Sequence, residues 1–375
     1  MSSCNTDSQN QISFASDNYA GIIPEVLDAI ARCNSGHARS YGADDGTAAF
    51  DSLMEATFGT GAVAFPVFNG TAANVLALTA VTRRWGAVIC AESAHVHADE
   101  GGAPEAVVGI KLWTVATGTD GKLTPSLLAA QLFDTDSVHR ANVAAVTIAQ
   151  TTEMGTLYTP AEVRALADAA HAAGLVLHMD GARLANAAAA LNLPMRAFTT
   201  DAGVDVLSLG GTKAGALAAE AVVLLPGYAT RVPSAVSQLP FLRKTVMQLA
   251  SKQRFLAAQL IALFSPPQAP VAVVRAAHAN AMAARLERGL RALPYSNFSL
   301  PKHSAGANAV FPTLPKRATE ALLEKTHFYV WNHATGQVRF MTSWDTTEAD
   351  IDALVAAVDE ALKESALSDF LFANS

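Results

Sequence analysis

Lys213 stands in the run "SLGGTKAG" (Ser208–Gly215), a long cation among small residues, just after the apolar segment "VDVL" (Val204–Leu207). An amine at the end of a buried strand is poorly solvated, which favours its neutral, nucleophilic form and imine chemistry with an aldehyde. Asp180 lies 33 residues earlier, in "MDGAR" (Met179–Arg183), at the end of "LVLHM" (Leu175–Met179). A carboxylate there needs a cation or several donors, and nearby Arg183 is the simplest structural partner. After "VAFPVF" (Val63–Phe68), Asn69-Gly70-Thr71 open a helix. Backbone N–H groups and a hydroxyl at a helix start suit a phosphate, although an ordinary helix cap has the same composition. One assembly uses all three features. Pyridoxal 5′-phosphate needs a phosphate cup, a carboxylate beside its pyridine nitrogen and a lysine for its aldehyde.

Those residues must be placed by the elements around them. Short apolar runs ("VAFPVF", "AVIC", "KLWTV", "VAAVTI", "LVLHM", "AVVLL") alternate with alanine-rich helical runs. Helices are expected from Ala72 to about Arg83, from "TPSLL", and over Thr159–Gly174, where Thr159 caps, Pro160 fills N1 and Gly174 stops the helix. The fold class is α/β: a mostly parallel sheet covered on both faces by helices. Ligands of such sheets bind beyond the carboxyl ends of the strands. A long helical stretch (Phe241–Phe264) ends at "SPPQAP". Beyond it come a helix (Val271–Leu293), strands at "NAVFPT" and "QVRFMTSW", and a last helix (Glu348–Glu364), which read as a smaller α+β domain. The expected division is 1–264, an N-terminal arm with the large cofactor domain, and 265–375, the small domain.

The 375 residues are 51% hydrophobic and 16% charged, enough for a large core. A net charge of −7 with scattered Lys and Arg argues against a nucleic-acid surface. The polar N-terminus does not read as a secretory signal, and no apolar run approaches a membrane span. Cys4, Cys33 and Cys90 read as free thiols of a reducing, cytoplasmic compartment. No metal site is expected. "HVHADE" contains ligand types, but nothing spaced elsewhere completes a shell. A nucleotide-binding α/β protein would carry G-x-G-x-x-G after its first strand, and this chain does not. A non-catalytic scaffold has no physical need for Asp180, Arg183, Lys213 and Arg339 together.

The set "SDN" (Ser16–Asn18), "YG" (Tyr41–Gly42), "NGTAAN" (Asn69–Asn74), "AHVHADEGGAPE" (Ala94–Glu105), "MDGAR", "GGTKAG" (Gly210–Gly215) and "VRFMTSWDT" (Val338–Thr346) resembles the L-threonine aldolases. These are pyridoxal-phosphate enzymes of the aspartate-aminotransferase fold, grouped with the β-eliminating lyases. The likeness runs from about Ser13 to the final helix. It implies that Gly70 and Thr71 hold the phosphate, His95 stacks on the pyridine ring, and Asp180 keeps the ring nitrogen protonated. It places Arg183 near the ring oxygen and substrate carboxylate, Lys213 on the aldehyde, and Ser16 and Arg339 on the α-carboxylate. Tyr41 would reach a neighbouring subunit's site, implying a homodimer or homotetramer, and Arg243 would add a phosphate contact from a neighbour. The implied reaction is cleavage of a β-hydroxy-α-amino acid (threonine, allo-threonine or phenylserine) to glycine and an aldehyde, with His95 acting as base directly or through a water. β-Elimination, transamination and decarboxylation share the same parts.

One departure stands out. Many members of that family carry "NTH" after the strand that here ends at Ile148, and the histidine faces the substrate hydroxyl. Here the run is "QTTE" (Gln150–Glu153), with Thr152 at that place. Threonine can hydrogen-bond a hydroxyl but is no base near neutral pH, which turns the expectation toward a β-aryl substrate such as phenylserine. If its segment is extended, His97 points away from His95. His178 reads as a satisfied core group, His171 as a helix residue, and His139, His303 and His333 as loop or surface residues.

Overall fold

The computed structural model describes residues 13–135, 137–302 and 306–373; Cys4 and His303 lie outside them. Of the described residues, Gly21–Val274 form one compact unit, and 13–20 with 275–373 form another. The sequence reading grouped the N-terminal arm with the larger unit. In the structure, residues 13–20 fall with the smaller one, and Phe14 is part of its core.

The larger unit is built on a seven-stranded sheet of β1 (Val63–Val67), β2 (Gly86–Ala91), β3 (Lys111–Val115), β4 (Asn142–Ala149), β5 (Val176–Gly181), β6 (Val206–Leu209) and β7 (Glu220–Leu224), in the order β1-β7-β6-β5-β4-β2-β3. Strands β2 to β6 are mutually parallel, and every residue of β2, β6 and β7 is buried. That double-sided burial is why these strands read as unbroken apolar runs. Strand β7, the expected "AVVLL" strand, pairs antiparallel to β6 and to β1. The connection 210–219 is too short for the helical crossover a parallel pair requires. Two reversals restore the direction, so β1 points the same way as β5 and ends at the same sheet edge.

The helix Pro160–Ala172 begins with a reciprocal capping box. Glu162 N–H donates to Thr159 Oγ1 (3.2 Å), and Thr159 N–H donates to Glu162 Oε2 (2.7 Å). The stretch expected as one helix over 241–264 is two, Ala235–Thr245 and Arg254–Phe264. Thr245 and Val246 are β-branched and hold a helix weakly. Met247 adopts φ +62°, and Gln248 turns to accept a hydrogen bond from Phe68 N at 3.0 Å.

The smaller unit has a three-stranded antiparallel sheet of β8 (Ala309–Val310), β9 (Tyr329–Asn332) and β10 (Gln337–Met341), with β10 in the centre. Helices Lys316–Lys325 and Glu348–Ala373 pack on one another. Leu286, Leu290, Val310, Phe340, Ile351 and Val358 are among its buried residues. Among the described residues, no helix is long and apolar enough to cross a membrane.

Candidate active site

The strand directions bring the carboxyl ends of β1, β2, β4, β5 and β6 to one edge of the larger sheet. Gly70, Thr71, His95, Glu153, Asp180, Arg183 and Lys213 follow or close those strands. Each keeps part of its surface open, although the strands behind are buried.

After β1, the helix Gly70–Val81 is capped by Asn69, whose side chain accepts from Ala72 N at 2.9 Å. The cap is thus Asn69 and not Thr71. It leaves the N–H groups of Gly70 and Thr71 in the first turn, where an anion is favoured. Asn74, one turn further and buried, points its amide nitrogen at two carboxylates: Asp180 Oδ2 at 2.7 Å and Glu100 Oε1 at 2.8 Å. Both neighbours are acceptors, so the amide's NH₂ must face them.

Asp180 closes β5. Burial pushes its carboxyl up, but the charges of His95 and Lys213 and donation from Asn74 and from Ala182 N (2.9 Å) hold it below its ordinary value. It is therefore an anion at neutral pH. Two residues back on the same strand, His178 bonds Thr147 Oγ1 (2.8 Å) and Ser208 Oγ (2.9 Å) on the flanking strands. Burial pushes His178 down to about 4, so it is the neutral, satisfied core group its position suggested. Arg183 heads the helix Leu184–Leu191.

After β2, His95 opens a single helical turn, His95–Ala98, where an extended run was considered. His97 still points away, because two residues turn about 200° around a helix, and it is exposed. His95 Nδ1 lies 3.0 Å from Glu100 Oε1. That hydrogen bond, foremost, lifts the imidazole above its ordinary value against the opposing effect of burial. Burial likewise raises Glu100.

Lys213 sits four residues beyond β6 in a loop fixed from β7. Glu220 Oε2 accepts from Gly211 N at 2.7 Å, and Oε1 accepts from Thr212 N at 3.1 Å. Burial raises the Glu220 carboxyl, and these bonds and the Lys213 charge counter it. The small residues around the lysine are needed for close packing. A Cβ at Gly211 would run into Ala219 O, and Gly215 (φ +111°) lies against Ile23. The opening turn of this loop thus rests on the sheet.

Thr152 is turned from the role expected for it. Its hydroxyl is spent inside the turn on Thr156 Oγ1 (2.7 Å) and Asp120 O (3.1 Å), and it is only 2% exposed. The next residue, Glu153, faces the site, with Oε1 accepting from His95 N at 2.8 Å. Burial, with the Asp180 charge adding, pushes its carboxyl up to about 7.

In the smaller unit, Arg339 Nη2 donates to Ala15 O at 2.9 Å, which sets the guanidinium beside Ser16. Ser16 Oγ accepts from Asn18 N, and the Arg339 fork lies over Trp331 at 4.8 Å. Tyr41 is exposed, with Lys244 Nζ 5.1 Å above its ring. Arg243 does not project toward a neighbour. It is buried, donating to Pro66 O at 3.0 Å, and burial pushes it down to about 10.

Residues 13–333 match the model of the β-eliminating lyase family. The low specificity L-threonine aldolase of Pseudomonas sp. (strain NCIMB 10558) is 39% identical over 354 residues, covering 94% of this chain and 98% of the relative. That of Pseudomonas aeruginosa is 39% identical over 333 residues, covering 89% and 93%. The solved threonine aldolase of Leishmania major superposes with TM-score 0.84 at 29% identity, covering 93% of this chain and 99% of that one. The chain therefore belongs to the β-eliminating lyase family, among its threonine aldolases.

Proposed function

We propose that this chain is a pyridoxal-phosphate-dependent aldolase that splits a β-hydroxy-α-amino acid, such as L-threonine, L-allo-threonine or phenylserine, into glycine and an aldehyde. The observation that carries this reading is the single sheet edge that gathers a helix head at Gly70–Thr71, an anionic Asp180 and the amine of Lys213. These residues fit the cofactor by their chemistry: N–H donors for a phosphate, an ionised carboxylate for a protonated pyridine, and a lysine for an aldehyde. When bound, the cofactor supplies an electron sink for the pair released at Cα.

The chain's own residues do the rest. Asp180 would hold a proton on the ring nitrogen of the bound cofactor. His95 would cover the cofactor ring and take the β-hydroxyl proton. Arg339, a planar fork, and Ser16 grip the α-carboxylate; limiting rotation about N–Cα selects the Cα–Cβ bond for cleavage. The names of the two bacterial relatives, which describe low specificity, support a broad choice of β-substituent. Tyr41, Phe241 and Met247 are exposed, and Lys244, on the helix that carries Phe241, lies over the Tyr41 ring, which suits a homodimer or homotetramer with shared sites. A cytoplasmic setting fits the free thiols Cys33 and Cys90.

The test is the visible absorption spectrum of the purified chain with and without glycine, beside Lys213→Ala. A yellow band that shifts with glycine and is missing in the variant is expected, with glycine and an aldehyde formed from threonine, allo-threonine or phenylserine. A keto acid product instead would mean a transaminase, and a chain that stays colourless with added cofactor would remove Lys213 from its role.

A further inference from the structure

His95 and Glu100 form a pair whose geometry has a chemical consequence. The His95 side chain is 37% exposed, whereas Glu100 is 0% exposed. The carboxylate thus lies behind the ring, on the protein side. The two glycines that follow it, Gly101 (φ +60°) and Gly102 (φ +70°), take a backbone path that other residues adopt poorly. Glu100 Oε1 receives two groups, His95 Nδ1 at 3.0 Å and Asn74 Nδ2 at 2.8 Å. Glu100 Oε2 is buried and, among the described residues, has no hydrogen-bond partner. A carboxylate so poorly solvated holds its few donors strongly.

We propose that Glu100 is a positioning residue that fixes His95 as the Nδ1–H tautomer and leaves Nε2 as the proton acceptor of the site. Glu100 Oε1 also receives the Asn74 NH₂ and so acts as an acceptor; Nδ1 must then carry the hydrogen, and the neutral ring's lone pair falls on Nε2. The role of Nε2 as base rests on the proposed aldol cleavage. There the substrate O–H bond breaks, the N–H bond forms at Nε2, and the oxygen's electron pair becomes part of the departing aldehyde's C=O bond. The imidazolium that results is stabilised by Glu100. The same carboxylate raises the imidazole's proton affinity.

The other groups around His95 come from three neighbouring elements. Asp180 on β5 favours the imidazolium, Lys213 after β6 opposes it, and Glu153 after β4 accepts the His95 backbone N–H. Glu100 differs from these in bonding the ring itself. Asn74 joins Glu100 to Asp180 through one NH₂ group, so the charge behind the histidine and the charge behind the ring nitrogen share a donor.

The experiment uses the full chain, cofactor-loaded and cofactor-free, labelled with ¹⁵N-histidine, as wild type and Glu100→Gln. Glutamine keeps an acceptor oxygen for His95 and Asn74 and removes the charge. In the wild type, the expected neutral His95 has a protonated Nδ1 and a bare Nε2, with a proton affinity above that of an ordinary histidine. Glu100→Gln is expected to lower that affinity by tenfold or more. In turnover of phenylserine or threonine, the acid limb of kcat should move to lower pH and the plateau should fall 10- to 100-fold, with KM little changed. A neutral wild-type His95 protonated on Nε2 overturns the proposal, and so does a titration unmoved by Glu100→Gln. The tautomer is read on the wild type, so the assignment stands or falls even if the variant does not fold. The expected titration in a chain that cleaves no β-hydroxy amino acid would preserve the pair and overturn the aldolase reading.

Discussion

Glu153 shows how far a side chain's burial can depart from what its neighbours in sequence announce. In "QTTE" the threonines look like the polar probes of the site, yet Thr152 is spent on Thr156 and Asp120, and the carboxylate after it is turned to His95. Its carboxyl, pushed up to about 7, gives a stability prediction with a definite sign. Between the ordinary glutamate value and pH 7, the unfolded chain has lost this proton and the folded chain keeps it. Folded stability therefore falls as pH rises through that window and levels off above it. The loss is at most about 3 kcal/mol, reduced by the open part of the side chain. His178, held down to about 4, acts with the opposite sign below its ordinary value and masks much of this in the wild type. Glu153→Gln isolates it: its stability relative to wild type should be higher at pH 8 than at pH 5 in thermal melts. An equal difference at both pH values would show that Glu153 titrates normally. Asp180 and Lys213 could be read from the sequence because each follows an apolar run, where a charge is costly without a purpose. Glu100 and Asn74 were within quoted motifs, but their pairing spans 26 positions and two elements, and no spacing rule encodes it.

At the scale of elements, the opposite end of β6 carries a purely structural counterpart to the site. Asp205, fully buried, accepts from His171 Nε2 at 2.9 Å, from Leu177 N at 2.9 Å and from Arg231 Nε. It joins the helix Pro160–Ala172, β5 and the helix Tyr228–Arg231. Asp205→Ala strands a partly buried guanidinium and frees a strand N–H, and should cost about 3 kcal/mol. The melting temperature should drop by several degrees while turnover per folded molecule is unchanged; a fall in turnover at full stability would mean that the two ends of the strand communicate. The parallel core was legible because doubly buried strands are continuous apolar runs. The reversal of β7 was not, since "AVVLL" has the same composition whichever way it runs, and only the length of 210–219 decides. Glu220 did leave a signal: a carboxylate heading such a run must be satisfied locally, here by Gly211 and Thr212. The break at 245–248 depended on a distant partner, Phe68, which periodicity does not register.

For the molecule as a whole, the shared-site proposal turns on Tyr41, which takes a left-handed φ of +61° and donates its backbone N–H to Ser251 O at 3.0 Å. That posture is held by the larger unit and not by the tyrosine's own ring, which stays exposed. If Tyr41 serves a neighbour, Lys213→Ala and Tyr41→Ala chains, each nearly inactive alone, should regain up to about a quarter of wild-type activity when dissociated and reassembled as mixed dimers. Activity no higher than the sum of the parents would place each site within one chain. The pairing of β1 with β7 reaches further still. Val63 lies opposite Leu224, β7 is the only strand paired with β1 among the described residues, and the helix beginning at Gly70 packs on β6 and β7. A ribosome that has finished Asp180 and Lys213 has made β6 but not β7, so β1, which leads into the Gly70–Thr71 turn, still lacks the strand it pairs with. If Gly70 and Thr71 hold the cofactor phosphate as proposed, a chain truncated before β7 would carry Lys213 while β1 stands unpaired, and its hold on the cofactor should be weakened.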